Sequence, residues 1–457
     1  MEYIFLFSII LVFLRTLYSN IMLVLALIWL AVSKKRLYPK QTNKQKEFIV
    51  IIPVLREQKI LRKTIDHFLS MNYDLNKMTV LLVSTEKEIK EATQNHLVEQ
   101  TTIDLITELK KEINLRFNKE IIVHLHYPLA DGKMAHQINY AFDYILCNLK
   151  TDPRNLFVAI YNADSRPDIN TLFFVSSLAE NDKLKVFQQS ALYFDNFLPI
   201  RDSKGFLTRN YLIANATLHS RWTLAHEIPR LLRQSFFINH FKKGVFLSHC
   251  VGHGLFLRGD LLQQIKTMPT TTVTEDLFFG YILSVLGISI NPIPVLESAE
   301  APATFLTALK QKYVWFFGPL DHFSYEKYFK NNFPSFTRFG VLKWFTLQGI
   351  IPAIAWFFMG WLFLFILIYP LIIQNYRLFF ISILLLLCYG PLSYISVLFI
   401  GKKTNNLNYI RYQDYLWLII FCLPAIFIHS LPPIFTLGAK IKFLFTHQEP
   451  SKPKTER

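Results

Sequence analysis

Cysteine is scarce. The 457 residues contain four (Cys147, Cys250, Cys388 and Cys422), with no CxxC pair and two of them inside apolar stretches. That excludes a disulfide framework and reads as reduced thiols facing cytosol or lipid. Charge is scarce as well: 18% of residues are charged against 52% apolar and 15% aromatic, with a mean hydropathy of +0.26. This balance excludes disorder, is too apolar for an ordinary soluble protein, and is too charged for a bare bundle of membrane spans. Acidic side chains are in the minority, 33 against 49 basic ones, leaving a net charge of +16. The excess suits an anionic lipid surface or nucleotide phosphates. Nucleic acid is not an expected partner, because no zinc-finger, RRM or helix-turn-helix signature accompanies the charge. There is no internal repeat and no low-complexity tract. What remains is a membrane protein with a large globular part, about three units by length.

The apolar stretches predict the membrane region. Tyr3 to Val32 is apolar apart from Arg15 and a few small polar residues, and Lys34, Lys35 and Arg36 follow it. A cleaved signal peptide carries its positive charge before the apolar stretch, so residues 1–36 read as a transmembrane anchor ending in the cytosol. Further stretches cover Thr346–Tyr369, Leu378–Ile400 and Asp414–Leu437, giving a C-terminal transmembrane region of about three segments over 346–437. Residues 326–345 read as an interfacial amphipathic helix, because Arg338 and Lys343 mix with Phe, Leu and Trp344. Lys402 and Lys403 place the loop after the third stretch inside. Residues 438–457 form a basic tail, and Pro424, Pro432 and Pro433 allow the last stretch to be broken or re-entrant. The expected localisation is an integral membrane protein of the plasma (inner) membrane with residues 45–325 cytosolic.

Within 45–325 the pattern is α/β. Glu47–Val54, Met78–Ser84, Ile121–His126 and Phe157–Tyr161 are short apolar runs of the kind that forms buried parallel strands. Lys59–Leu69 and Lys133–Cys147 have helical spacing, and 86–118 reads as two helices. Such alternation predicts a mostly parallel sheet covered on both faces, with ligands bound at the carboxyl ends of its strands. That is where the polar motifs fall. Pro53-Val54-Leu55-Arg56-Glu57 follows the first strand, Ser84-Thr85-Glu86 the second, Asp131-Gly132-Lys133 the third, and Asn162-Ala163-Asp164 the fourth. Gly252-His253-Gly254 with Arg258, Thr274-Glu275-Asp276, and Gln311-Lys312-Tyr313-Val314-Trp315 come later.

This ordered set, over residues 48–320, resembles the family 2 membrane glycosyltransferases, relatives of chitin-oligosaccharide, hyaluronan and cellulose synthases. The resemblance implies a GT-A catalytic domain, a Rossmann-like α/β fold, attached to α-helical transmembrane segments. It also implies a nucleotide-diphospho-sugar donor, a UDP-sugar in the first instance; Glu86 stands where the family commonly has an Asp pair, which keeps guanine open as the base. By the same resemblance Pro53, Glu57, Glu86, Lys133, Asn162 and Asp164 bind the donor, and Asp164 holds Mg²⁺ or Mn²⁺. Asn162 replaces the first Asp of the usual Asp-Ala-Asp, so the metal role falls on Asp164 alone.

The catalytic pair expected is Glu275 and Asp276, with Asp276 the general base that removes the acceptor's hydroxyl proton. Neighbouring side chains point apart, so the two acids do not make a glycosidase pair. By the same resemblance His253, Gly254, Gln311 and Trp315 are expected to line the acceptor site, where an indole ring can stack on a sugar. Val314 stands at the Arg of the family's Gln-x-x-Arg-Trp signature. His249, Cys250 and His253 lie too close together, with no second half, for a zinc site.

The function expected is inverting transfer, by a hexosyl- or N-acetylhexosaminyltransferase, onto a glycan acceptor for an envelope or exported polysaccharide. The alternative is single-sugar transfer to a polyprenyl or glycolipid acceptor. A more distant one is a transporter with a nucleotide-binding domain, which predicts ionisable residues within the spans and paired repeats.

Overall fold

The computed structural model describes residues 1–37, 45–94, 100–242, 244–332, 339–404 and 409–446. The chain divides into two compact units: a sheet unit of Leu30–Ser190 and Leu231–Glu297, and a helical unit of Met1–Trp29, Ala191–Arg230 and Ser298–Arg457. The block expected over 45–325 is therefore interrupted, because 191–230 and the residues after 297 group with the apolar helices. Packing explains the grouping. Helix Phe206–Trp222 lies against Pro391–Thr404 and Tyr412–His429, and helix Phe305–Leu320 lies against Phe339–Ile372 and Pro432–Thr446.

In the sheet unit, β1 (Glu47–Pro53), β2 (Met78–Thr85), β3 (Ile122–Tyr127) and β4 (Leu156–Ile160) run parallel in the order β3-β2-β1-β4. The sheet then continues with Leu255–Arg258, Val186–Gln188 and Ile290–Pro292. Leu255–Arg258 is antiparallel to both its neighbours, so the sheet is mixed. The strands form where the apolar runs predict them, since a strand covered on both faces needs apolar residues at every position. Phe48, Val50 and Ile52 pack on one face with Leu61, Ile65 and Phe68 of helix Leu61–Leu69 and with Ile106, Leu109 and Ile113 of Thr102–Phe117. Ile51, Leu81 and Val83 pack on the other with Ile138, Phe142 and Ile145 of Met134–Cys147.

Among the described residues four stretches are long and apolar enough to cross a membrane: Glu2–Arg36, Gly340–Ile372, Tyr376–Lys402 and Tyr412–Lys442. The third is interrupted at Gly390, between Tyr376–Tyr389 and Pro391–Thr404, where Pro391 has no N–H to continue the hydrogen-bond ladder. The fourth is broken after His429, where Pro432 opens a new helix and disfavours helical geometry in Leu431 before it. Pro424 stays inside Tyr412–His429. The segment expected as an interfacial helix over 326–345 is arranged differently. His322–Asn332 is one helix, 333–338 with Arg338 lie outside the described residues, and Phe339–Ile372 runs unbroken through Lys343 and Trp344. Of the basic tail, 447–457 lie outside the described residues.

Candidate active site

The four parallel strands deliver their carboxyl ends to one edge of the sheet. Because Leu255–Arg258 runs antiparallel, with Leu255 opposite Ile160, its amino end reaches the same edge. One edge therefore collects Pro53 and Glu57, Glu86, Lys133, Asn162 and Asp164, and His253 and Gly254, from segments far apart in the chain.

Pro53 closes β1, and Arg56 after it has a left-handed backbone, φ +56°. Glu88 holds this turn. Its carboxylate, in a residue 2% exposed, accepts the Arg56 and Thr102 N–H groups at 2.7 Å each. The Glu57 N–H donates to Thr102 Oγ1 at 2.9 Å, which fixes the backbone that carries the Glu57 side chain. Glu86 opens helix Glu86–Gln94 and pairs with His126, Oε2 to Nε2 2.9 Å. His126 Nδ1 meets Ser84 Oγ at 2.9 Å, and that hydroxyl also meets His124 Nε2 at 2.8 Å. Burial, helped by His126 and Lys110, holds His124 below the usual imidazole range.

Lys133 is the extended N-cap residue of Met134–Cys147, with its N–H on His136 Nδ1 at 3.1 Å. The same helix is tied to the strand ends by Gln137, whose buried amide donates to the Val54 and Val83 carbonyls at 3.2 and 2.7 Å. The turn after β4 closes through the Asn162 N–H on Ser165 Oγ and the Ser165 N–H on the Asn162 carbonyl, both 3.1 Å. From below, Thr64 Oγ1 donates to the Ala163 carbonyl, and buried Arg166 donates to Thr64 Oγ1 and the Ser165 carbonyl at 2.8 Å. Asp164 sits half-buried on this pinned turn.

The loop before Leu255 is held by a fully buried glutamine pair. Gln188 Oε1 accepts the Val251 N–H at 3.0 Å, and its Nε2 donates to the His253 carbonyl at 2.7 Å. Gly254 has φ +66°, and a Cβ there would meet the Gln189 carbonyl oxygen at 2.8 Å, so only glycine fits. Tyr161 donates to Gln189 Oε1 at 2.5 Å. The His253 imidazole pairs with Glu297, Nδ1 to Oε2 2.8 Å; a carboxylate only accepts, so Nδ1 carries the proton.

Helix Glu275–Val285 begins at the same loop. Its Gly280 lies directly on the backbone, where a Cβ would stand 2.4 Å from the Cys250 nitrogen. This contact brings Asp276 against Gly252: a Cβ on Gly252 would lie 3.3 Å from Asp276 Oδ2 and 3.7 Å from Met134 Cε. Asp276 and Met134, the residue after Lys133, thus both approach Gly252. Asp276 is half-buried, whereas adjacent Glu275 is 4% exposed. The Thr274 side chain does not cap the helix.

Gln311 and Trp315 lie in the helical unit, on Phe305–Leu320. The Trp315 ring is 36% exposed and 5.1 Å from the His219 ring. Sequence reasoning missed Glu88, Gln137, Gln188, Gln189 and Glu297. Each acts on a partner distant in the chain, and the available signal was only a polar residue inside or beside an apolar run.

A mixed α/β sheet presenting acids, a Gly-Lys turn and a carboxylate-bearing helix start along one edge defines a GT-A glycosyltransferase fold, in a chain whose described residues include four apolar stretches able to span a membrane. The chain belongs to glycosyl transferase family group 2, whose model matches residues 190–428. That match overlaps residues 190–320 of the motif-bearing stretch read from sequence and extends into the C-terminal apolar helices. No curated protein matches the chain. Among solved structures, it is similar to a mannosyltransferase from Pyrobaculum calidifontis in complex with GDP-Man and Mn²⁺ (13% identity, 94% of this chain and 98% of that one, TM-score 0.44). It is also similar to S. aureus TarS 1–349 in complex with UDP-GlcNAc (11% identity, 83% and 90%, TM-score 0.39). At such scores these likenesses assign no donor, metal or acceptor.

Proposed function

We propose that this family 2 glycosyltransferase is an inverting, metal-dependent enzyme, membrane-anchored with the sheet unit in the cytosol, that moves a sugar from a nucleotide-diphospho-sugar to a glycan acceptor. The observation that carries the reading is the meeting of Asp276 with Gly252 and Met134, the residue after Lys133. It joins a half-buried carboxylate to the Gly-Lys turn, and the missing side chain at Gly252 leaves room over Oδ2.

In this mechanism the donor lies across the carboxyl edge. Glu57 and Glu86 face its nucleoside, with Glu86 oriented by His126, and Lys133 meets its phosphates. Asp276 takes the proton of an acceptor hydroxyl, and that oxygen attacks the anomeric carbon from the side opposite the diphosphate. The glycosidic bond forms as the bond to the diphosphate oxygen breaks, and the nucleoside diphosphate leaves with the electron pair. An α-linked donor then gives a β-linked product. Buried Glu275 sets the helix start.

Among the described residues no group of three or more His, Cys, Asp or Glu side chains could hold a metal ion by itself. A Mg²⁺ or Mn²⁺ held by one carboxylate and substrate phosphates does not need such a group, and half-buried Asp164 on its pinned turn fits that donor set. When bound there, the cation supplies charge neutralisation for the departing diphosphate. The product is an envelope or exported glycan. Val314, buried and only 8% exposed where the family signature has Arg, favours single-sugar addition to a polyprenyl or glycolipid acceptor as the second reading.

The test is incubation of purified protein with UDP- and GDP-sugars, with Mg²⁺, Mn²⁺ or chelator, and measurement of released nucleotide and product mass. Nucleotide release that requires acceptor and metal supports the reading. Equal release in chelator removes the metal, and no transfer from any donor removes the reading.

A further inference from the structure

Lys312 has no exposed surface, and its ammonium donates to the Asn215 side-chain oxygen. Among the described residues no carboxylate pairs with it. An ammonium has three donors, so two remain to be placed. The surroundings are equally unsatisfied. Asn215 Nδ2, both ring nitrogens of His219, Gln311 Oε1 and His429 Nδ1 are buried with no hydrogen-bond partner. Asn215 is 0% and His219 5% exposed.

These atoms belong to one cluster of the helical unit. Asn215 and His219 are four residues apart on Phe206–Trp222 and share a face, as do Gln311 and Trp315 on Phe305–Leu320. The His219 ring lies 5.1 Å from Trp315 and 6.3 Å from His429. Native interiors rarely leave so many polar atoms unmatched in one place. The set leaves more donors than acceptors unmatched, two N–H on the ammonium, the Asn215 NH₂ and one nitrogen of the neutral His219 ring against Gln311 Oε1 and the other His219 nitrogen, and it contains no acid. Half-exposed Trp315 forms its rim.

We propose that Lys312, Asn215 and His219 form a binding site for an oxyanion, a phosphate or carboxylate carried by the acceptor. Describing the ligand as the acceptor rests on the transferase reading above; the oxyanion chemistry does not. Burial pushes the Lys312 ammonium down to about 7 and holds His219 well below the imidazole range. The titratable groups near Lys312 are His219 and His429, so no neighbouring acid holds its proton. An entering oxyanion supplies the missing counter-charge, and binding above pH 7 takes up a proton. Because the same unit carries the apolar helices, a lipid-attached phosphate is one source and a soluble phosphorylated group the other.

The experiment uses the full-length protein in phosphatidylcholine nanodiscs, with polyprenyl phosphate, uncharged polyprenol or inorganic phosphate as probes. Thermal unfolding reads binding, and calorimetry in buffers of different ionisation enthalpy reads proton uptake. Polyprenyl phosphate should raise the unfolding midpoint of the wild type where polyprenol does not. Lys312→Met should weaken that binding about tenfold or more, because a charge-assisted bond is lost. Its own midpoint without anion should hold or rise, since it removes a buried charge with one neutral partner. His219→Phe, which keeps the ring packing, is the second variant should Lys312→Met misfold, and should weaken binding in the same direction. Stabilisation by inorganic phosphate as well identifies an untethered source. Absence of binding by either anion, wild-type affinity in both variants, or binding without proton uptake overturns the site. Nucleotide-sugar binding measured on the same sample separates the two claims, since loss of donor binding in the wild type defeats the transferase reading and leaves the anion measurement standing.

Discussion

Gly252 lies so close to Asp276 that a Cβ would stand 3.3 Å from the carboxylate Oδ2. A methyl group there forces the carboxylate to move by a few tenths of an ångström, and small misplacements of reacting groups are expensive. Gly252→Ala should lower turnover by about tenfold with donor affinity unchanged, and Gly252→Val by about 100-fold. Steady-state rates and donor titration on one preparation check this. Wild-type turnover in Gly252→Val would place the reacting hydroxyl elsewhere.

Asp164→Asn should abolish metal-dependent donor binding and transfer, because an amide is a poor ligand for a hard cation. Asn162→Asp should be tolerated, since it restores the first acid of the family's Asp-Ala-Asp pattern. Donor binding titrated with Mn²⁺ and with chelator decides it; full activity of Asp164→Asn in chelator would remove the metal from the mechanism.

Glu88→Gln presents an NH₂ group to backbone N–H groups that need an acceptor. The loss should destabilise the sheet unit by about 1–3 kcal/mol. The loop that carries Glu57 should loosen with it, raising donor Kd about tenfold while turnover at saturating donor holds. An unchanged donor Kd would show that the Glu88 bonds do not position Glu57.

The strands were legible because β1, β2 and β4 are continuous apolar runs, and a parallel sheet covered on both faces leaves little else for such runs to do. The edge residues followed, since Glu57, Glu86, Lys133 and Asp164 each come just after a strand. Glu88 was not legible: it is a helix-start acid like Glu86, and only the fold shows that Glu88 is buried and Glu86 half-buried. Gln188, Gln189 and Glu297 take partners brought close by the antiparallel strand, and the sequence reading placed no strand at Val186–Gln188 or Leu255–Arg258. The division of 45–325 was hidden because Phe206–Trp222 carries polar residues such as Asn215 and Arg221 that look soluble. They face other helices instead, with Arg221 donating to Ser19 and Ser393 at 2.7 Å.

His322 predicts a pH dependence. Burial holds its imidazole down at about 4, with Nδ1 on the Pro319 carbonyl at 3.0 Å. The unfolded chain takes up this proton near pH 6.5, and the folded chain does not until about 4. Stability is therefore complete above about pH 6.5 and falls by a few kcal/mol as pH drops toward 4. Thermal midpoints across that window should fall in the wild type and fall less in His322→Phe. An identical slope in the two proteins would assign the effect to other groups.

The central claim is that Asp276 is the general base, and Asp276→Asn tests it most directly. Asparagine keeps the shape and the hydrogen-bonding capacity but cannot accept the acceptor's proton near neutral pH. General-base catalysis contributes about 10²–10⁴-fold, or roughly 3–5 kcal/mol. Turnover and donor affinity should be measured on the same membrane preparation of wild type and variant. The account predicts a fall in turnover within that range, with donor affinity and fold retained. Near-wild-type turnover, or a loss of donor binding in proportion to rate, would contradict it.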